Sequence, residues 1–152
     1  MEGIISISIG IGLVISLTFS EMLGLTAGGM VVPGYVALYL NHPVVILITL
    51  LVSYLTYFIV HSLSAVMIIY GRRRTVLMIL VGFAIGAGVR SFGHLQLPMA
   101  AIDLTIIGYI IPGLIAIWID RQGVVESFSS LIIASVIVRI ILILITGGEI
   151  NT

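Results

Sequence analysis

What most restricts this chain is how seldom its apolar sequence is broken. Five polar interruptions stand out in 152 residues: Ser20-Glu21, Asn41-His42-Pro43, Gly71-Arg72-Arg73-Arg74, the stretch from Arg90 to Asp103, and Asp120-Arg121-Gln122-Gly123. Between them lie six apolar segments, roughly 4–19, 27–40, 44–70, 75–89, 104–119 and 124–146. A helix needs about 20 apolar residues to cross a hydrocarbon core. The third and sixth segments meet that length, whereas the second and fifth are short and each carries a Pro-Gly pair inside it. Only 8 % of residues are charged, against about a quarter in a soluble domain. The expectation is an all-α integral membrane protein, one transmembrane domain over residues 1–152, multi-pass in the cell membrane and in contact with lipid.

Several function classes fall away at once. Six arginines balance six acidic residues, and no block of charge suits nucleic acid. With no cysteine and no lysine, thiolate metal sites, cysteine or lysine nucleophiles and P-loops are excluded. Ser-His-Asp order, paired carboxylates at helical spacing and metal-ligand clusters are missing as well. The sequence predicts no catalytic residue, no metal and no cofactor in this chain. Met1-Glu2-Gly3 runs into apolar sequence without a basic leader region, so the first segment is expected to remain in the mature protein.

The two short segments repeat each other. Gly29-Met30-Val31-Val32-Pro33-Gly34-Tyr35-Val36-Ala37 matches Gly108-Tyr109-Ile110-Ile111-Pro112-Gly113-Leu114-Ile115-Ala116 at an offset of 79 residues. Apolar identities come easily, but Gly, Pro-Gly and Ala in register do not. The chain therefore reads as two halves, about 1–73 and 74–152, each a spanning helix, a broken Pro-Gly segment and a spanning helix. Three crossings per half is an odd number, so the second half is inverted relative to the first. Six crossings place Arg72, Arg73, Arg74 and Arg121 on one face, cytoplasmic by the positive-inside rule, with both termini outside. The alternative has four crossings and two re-entrant Pro-Gly segments, and its arginine bias is weaker.

Proline removes an N–H and pushes the preceding residue toward extended geometry, so Val32-Pro33 and Ile111-Pro112 should each break their helix. A second half-helix is expected to start there, since proline suits the first helical position, and to run to Leu40 or Ile119. Unwinding about four residues stretches such a segment to roughly 31 Å, close to the hydrocarbon thickness. Half-helix N-termini at Pro33-Gly34-Tyr35 and Pro112-Gly113 could then receive an anionic group. The plainer reading is a pair of packing kinks, with glycine for close approach.

Single residues carry less. Arg139 lies inside segment six and needs a partner, either a structural ion pair or carbonyl contact or a ligand. Glu21 sits at a segment end, where an exposed carboxylate is the ordinary finding. His61 is expected to pack or hydrogen-bond, and His42 and His94 fall in loops. Tyr39, Tyr70 and Trp118 lie near segment ends, where aromatic anchors sit.

The run Glu21-Met22-Leu23-Gly24, then Ala27 to Leu38, Tyr70-Gly71-Arg72-Arg73-Arg74, Ile107 to Ala116 and Arg121-Gln122-Gly123 resembles the PgsC/CapC family of poly-γ-glutamate synthesis proteins over essentially the whole chain. The resemblance implies a membrane subunit of a capsule or secreted-polymer machine. Its implied partners are a cytoplasmic ATP-dependent amide ligase, which would hold the ATP and Mg, a second membrane-anchored subunit, poly-γ-glutamate itself and further copies of this chain. In that picture the chain anchors the ligase and assists translocation, and it is not an enzyme on its own. Arg74 stands where the family pattern suggests Lys, and Arg139 inherits nothing from the resemblance.

Each residue of such a polymer bears a free carboxylate ionised at neutral pH, which a hydrocarbon core opposes. Arg72, Arg73, Arg74 and Arg121, with Gln122 beside them, could gather it. Alternatively they set topology and bind anionic lipid or the ligase. A free-standing inverted-repeat transporter or channel for anionic solutes is the other function class.

Overall fold

The computed structural model describes residues 2–26, 28–93 and 110–148, without the side chains of Arg90 and Phe92. His94, most of the Arg90–Asp103 interruption and the start of segment five, including Gly108 and Tyr109, lie outside the described residues. Those that are described form six α-helices and no strand: α1 (Glu2–Leu23), α2 (Val32–Leu38), α3 (Pro43–Val66), α4 (Arg72–Gly93), α5 (Ile111–Gln122) and α6 (Val124–Thr146). Three of them, α1, α3 and α6, are long and apolar enough to cross a membrane. At 1.5 Å per residue they measure about 33 to 36 Å.

These helices are inside out by the standards of a water-soluble core. Their outward faces carry large apolar side chains such as Val14, Leu17, Leu51, Phe58, Ile133 and Leu144, all exposed. Their inward faces bury Ser8, Ser16, Ser53, Thr56, Ser127, Ser130 and Ser135. Small and hydroxylated residues let helix backbones approach where lipid already solvates the large apolar groups. Ser53 and Ser135 donate to the carbonyls of Thr49 and Leu131, four residues back, so their hydroxyls stay satisfied inside.

Helix limits differ from the apolar runs for local reasons. Arg72, Arg73 and Arg74, which interrupt the apolar sequence, form the first turn of α4. Proline sits in the first turn of both α2 and α5, as its fixed φ favours. Residues 28–31 ahead of α2 are bent and non-helical. α2 ends at Leu38 rather than Leu40, and α5 continues to Gln122, past Ile119.

The chain forms two compact units, one of residues 1–46 with 122–152 and one of residues 47–121. The first holds α1, α2 and α6, the second α4, α5 and nearly all of α3. Each thus takes the first two segments of one sequence half and the third of the other.

Within the first unit α2 runs antiparallel to α1. Ser16 donates to the Gly29 carbonyl at 3.2 Å and Ser8 to that of Gly34 at 2.7 Å, so the contacts retreat along α1 as the chain advances. The third helix, α6, runs in the same direction as α2. Gln122, just before α6, holds Thr26, while Arg139, about 22 Å beyond Val124, reaches Ala37 and Asn41. The core between them is Ile15, Ala37, Ala134, Val138 and Leu142. In the second unit Val60 of α3 packs with Met78 of α4 and with Ala116 and Ile117 of α5.

Candidate functional site

Two kinds of place concentrate chemistry: the Pro-Gly crossings and the helix ends. At the first crossing, a Cβ on Gly12 would lie 2.8 Å from the Gly34 nitrogen, and one on Gly34 would lie 2.7 Å from the Ser8 carbonyl oxygen. At the second, a Cβ on Gly82 would lie 2.7 Å from the Gly113 nitrogen, and one on Gly113 would lie 2.8 Å from the Ile79 Cα. In both units backbone meets backbone, and only glycine fits. Pro33, Gly34, Pro112 and Gly113 are all buried there, and Tyr35 is half-buried. Burial repeats position for position, with Val32, Pro33, Gly34, Val36 and Ala37 matched by Ile111, Pro112, Gly113, Ile115 and Ala116. The long helices opposite share it too: Val52, Ser53, Thr56 and Val60 on α3 have the spacing of Ala134, Ser135, Val138 and Leu142 on α6.

The arginine end belongs to the second unit. Arg74 Nη2 meets Asp120 Oδ1 at 2.5 Å, and Nη1 donates to Ser64 Oγ at 3.2 Å. This fork ties the start of α4 to the ends of α5 and α3. The Arg74 Nε is buried without an acceptor among the described residues. Arg72 and Arg73 are exposed in the same turn. Arg121, also exposed, holds its guanidinium 5.4 Å from the Trp118 ring centroid, a cation–π distance. Glu21 is exposed in the last turn of α1.

Two further residues act on backbone in the first unit. Gln122 uses its whole amide on Thr26: Oε1 accepts from the Thr26 N–H at 3.1 Å and from its hydroxyl at 3.3 Å, and Nε2 donates to its carbonyl at 2.6 Å. Arg139 donates to the Ala37 carbonyl at 3.3 Å and to Asn41 Oδ1 at 3.1 Å. Ala37 is in the last turn of α2, where carbonyls lack partners within the helix. A cation there also suits the helix dipole. Of the two roles open to Arg139, the structure displays the carbonyl contact. His61 is exposed on α3 with its ring 5.5 Å from that of Tyr57.

Sequence reasoning missed Ser8, Gly12, Gly82, Ser64, Asp120 and Thr26 as partners. The Ser8-Gly12-Ser16 spacing of four was the available signal, since it lines one helix face with small residues. Among the described residues no group of three or more His, Asp or Glu could hold a metal ion.

Fold and site together define a helical protein with apolar outer faces, small-residue crossings and its free arginines at helix ends. The chain belongs to the capsule-biosynthesis CapC family, whose description, "Capsule biosynthesis CapC", matches residues 11–128. It is 42 % identical over 130 residues to the "PGA biosynthesis protein CapC" of Bacillus subtilis (strain 168), covering 85 % of this chain and 87 % of that one. It is 38 % identical over 130 residues to the "Capsule biosynthesis protein CapC" of Bacillus anthracis, with the same coverage. No solved structure matches it.

Proposed function

We propose that this chain is the multi-pass membrane subunit of a poly-γ-glutamate synthesis and export complex, with no catalysis of its own. It anchors a cytoplasmic ATP-dependent amide ligase, works beside a second membrane-anchored subunit and assists the polymer across. The observation that carries this reading is the family match, which runs from Ile11 in α1 to Phe128 in α6. It therefore takes in both glycine crossings, the Arg74–Asp120 pair and the Gln122–Thr26 clasp.

The reading includes six crossings arranged as two inverted repeats, and contacts within each unit support it. In the first unit Thr26 lies beside Gln122 while Asn41 lies beside Arg139, about 22 Å apart along α6. A segment that traverses the bilayer accounts for this. A re-entrant segment would return Asn41 to the Gln122 side. In the second unit Arg74, Ser64 and Asp120 meet at one end, as six crossings require and four do not. Arg72, Arg73 and Arg121 then face the cytoplasm.

The topology is tested in the cysteine-free chain with Glu21→Cys and His42→Cys, both at exposed positions, and a membrane-impermeant thiol reagent on intact cells. Six crossings predict labelling of His42→Cys alone, and equal labelling of both would sink the arrangement. For the role, solubilised membranes should yield the chain together with an ATP-dependent, glutamate-consuming ligase. A chain that purifies without ligase activity and conducts anionic solutes in vesicles would instead be a free-standing transporter.

A further inference from the structure

Resting on that reading, we infer that Arg72, Arg73 and Arg121 form a binding surface for successive carboxylates of the anionic polymer. The Arg74–Asp120 pair draws the first turn of α4 to the last turn of α5 and so gathers the three exposed guanidinium groups at one end of the second unit. It also engages Asp120, leaving the guanidinium groups of Arg72, Arg73 and Arg121 without a salt bridge among the described residues.

The surrounding electrostatics call for an anion. A helix start is already positive and ordinarily attracts acidic residues, yet α4 opens with three arginines and no acidic residue in its first turn. Gly71 precedes them and has no side chain with which to cap the helix. Its carbonyl accepts from the N–H groups of Arg74 and Thr75, while the amides of Arg72 and Arg73 have no acceptor among the described residues. Trp118 braces Arg121, which lowers the entropy lost when that guanidinium is fixed by a ligand.

Geometry favours a ligand in the aqueous phase over a lipid headgroup. The free amides of a first turn point along the helix axis, out of the bilayer plane, whereas headgroups lie beside a spanning helix. Guanidinium and amide N–H groups both suit carboxylate oxygens. A chain with one carboxylate per residue can engage several of them at once, so weak contacts add.

The test uses the full chain in neutral detergent and an end-labelled oligo-γ-glutamate, read by fluorescence anisotropy across a salt series. Parent protein should bind, with affinity falling as salt rises, and should not bind the α-methyl-ester form. Arg72→Gln with Arg73→Gln and Arg121→Gln should weaken binding by about ten-fold or more. If that triple variant does not fold, each single exposed change should cost about three-fold. Equal binding by the parent and by the folded variants, triple or single, overturns the proposal. So does oligomer binding that vanishes when nanodiscs containing phosphatidylglycerol replace detergent, which would make the patch a lipid surface. The assay involves no synthesis, so binding by a chain that proves dispensable for polymer production would break the functional reading and leave this one standing.

Discussion

The two Pro-Gly crossings share a steric device and differ in how they satisfy backbone. Both bring a glycine of the short helix against a glycine of a long one. In the first unit α2 has only seven residues, and the carbonyl of Ala37 in its last turn accepts from Arg139, while Ser8 and Ser16 of α1 add bonds to the carbonyls of Gly34 and of Gly29, just ahead of the helix. In the second, α5 has twelve residues. Ala116, the counterpart of Ala37, lies inside it, where the helix's own N–H groups reach its carbonyl. The place of Ser8 is taken by Met78, buried and apolar. The contact of Arg139 with Ala37 thus follows from helix length. A short helix in an apolar setting leaves orphan carbonyls, and burying one without a partner costs about 1–3 kcal/mol.

The shared part of the comparison carries the largest expected effect. Gly34→Ala and Gly113→Ala each push a methyl to within 3 Å of backbone atoms, which cannot move aside as a flexible side chain would. Overpacking of this kind costs about 1–3 kcal/mol, and both variants should lose much of their folded yield and melt well below the parent in detergent. Matching losses sharpen the parallel. Tolerance of one change and collapse with the other would break it.

The difference predicts asymmetry. Arg139→Met removes the bonds to the Ala37 carbonyl and to Asn41 Oδ1 and should cost about 1–3 kcal/mol, with Arg139→Lys recovering part of the loss. In the spacing shared by α3 and α6 the place of Arg139 falls to Tyr57. Among the described residues no helix end depends on its hydroxyl, so Tyr57→Phe should leave the melting temperature within a degree or so of the parent, about 0.5 kcal/mol or less. Equal losses from Arg139→Met and Tyr57→Phe would refute the capping account.

A smaller effect belongs to the Arg74–Asp120 pair. Both side chains keep about a fifth of their surface exposed, so solvent screens the pair and its coupling should be about 1 kcal/mol in a double-mutant cycle of Arg74→Ala with Asp120→Ala. Coupling near zero would detach α4 from α5 at this end and scatter the three arginines.

Much of this was legible in sequence because it depends on local chemistry. The apolar run of segment six coincides with α6 over 124–146, since glycine precedes and follows it. The Pro-Gly breaks were readable because proline constrains its own turn wherever it occurs. What could not be read depends on a partner distant in sequence. Gly12 and Gly82 look like any glycine in an apolar run until Gly34 and Gly113 arrive opposite. Asp120 was only one member of a polar interruption until Arg74 reached it. Arg139 announced that it needed a partner, but it meets Asn41 and the Ala37 carbonyl, and no sequence distinguishes that carbonyl from its neighbours. The regrouping of α3 with α4 and α5, and of α6 with α1 and α2, was equally hidden, because a repeat in sequence does not say which copy each helix packs against.

A further small effect concerns the prolines themselves and separates packing from anion binding at the crossings. Proline in the first helical turn removes an N–H that the helix would not use, so Pro33→Ala and Pro112→Ala delete no hydrogen bond. They mainly loosen the unfolded chain and should cost about 0.4–1 kcal/mol. The amides behind them are already occupied sterically, since even a single added methyl at Gly12 or Gly82 would collide with the nitrogen of Gly34 or Gly113. A carboxylate is larger than a methyl and has no more room there. Both variants, singly and together, should therefore assemble with the ligase and release polymer at close to the parental rate, measured as poly-γ-glutamate in the medium per unit of membrane-bound chain. Normal assembly with lost secretion would mean that the crossings open during transport and expose those amides, and the glycine contacts would then describe a closed state.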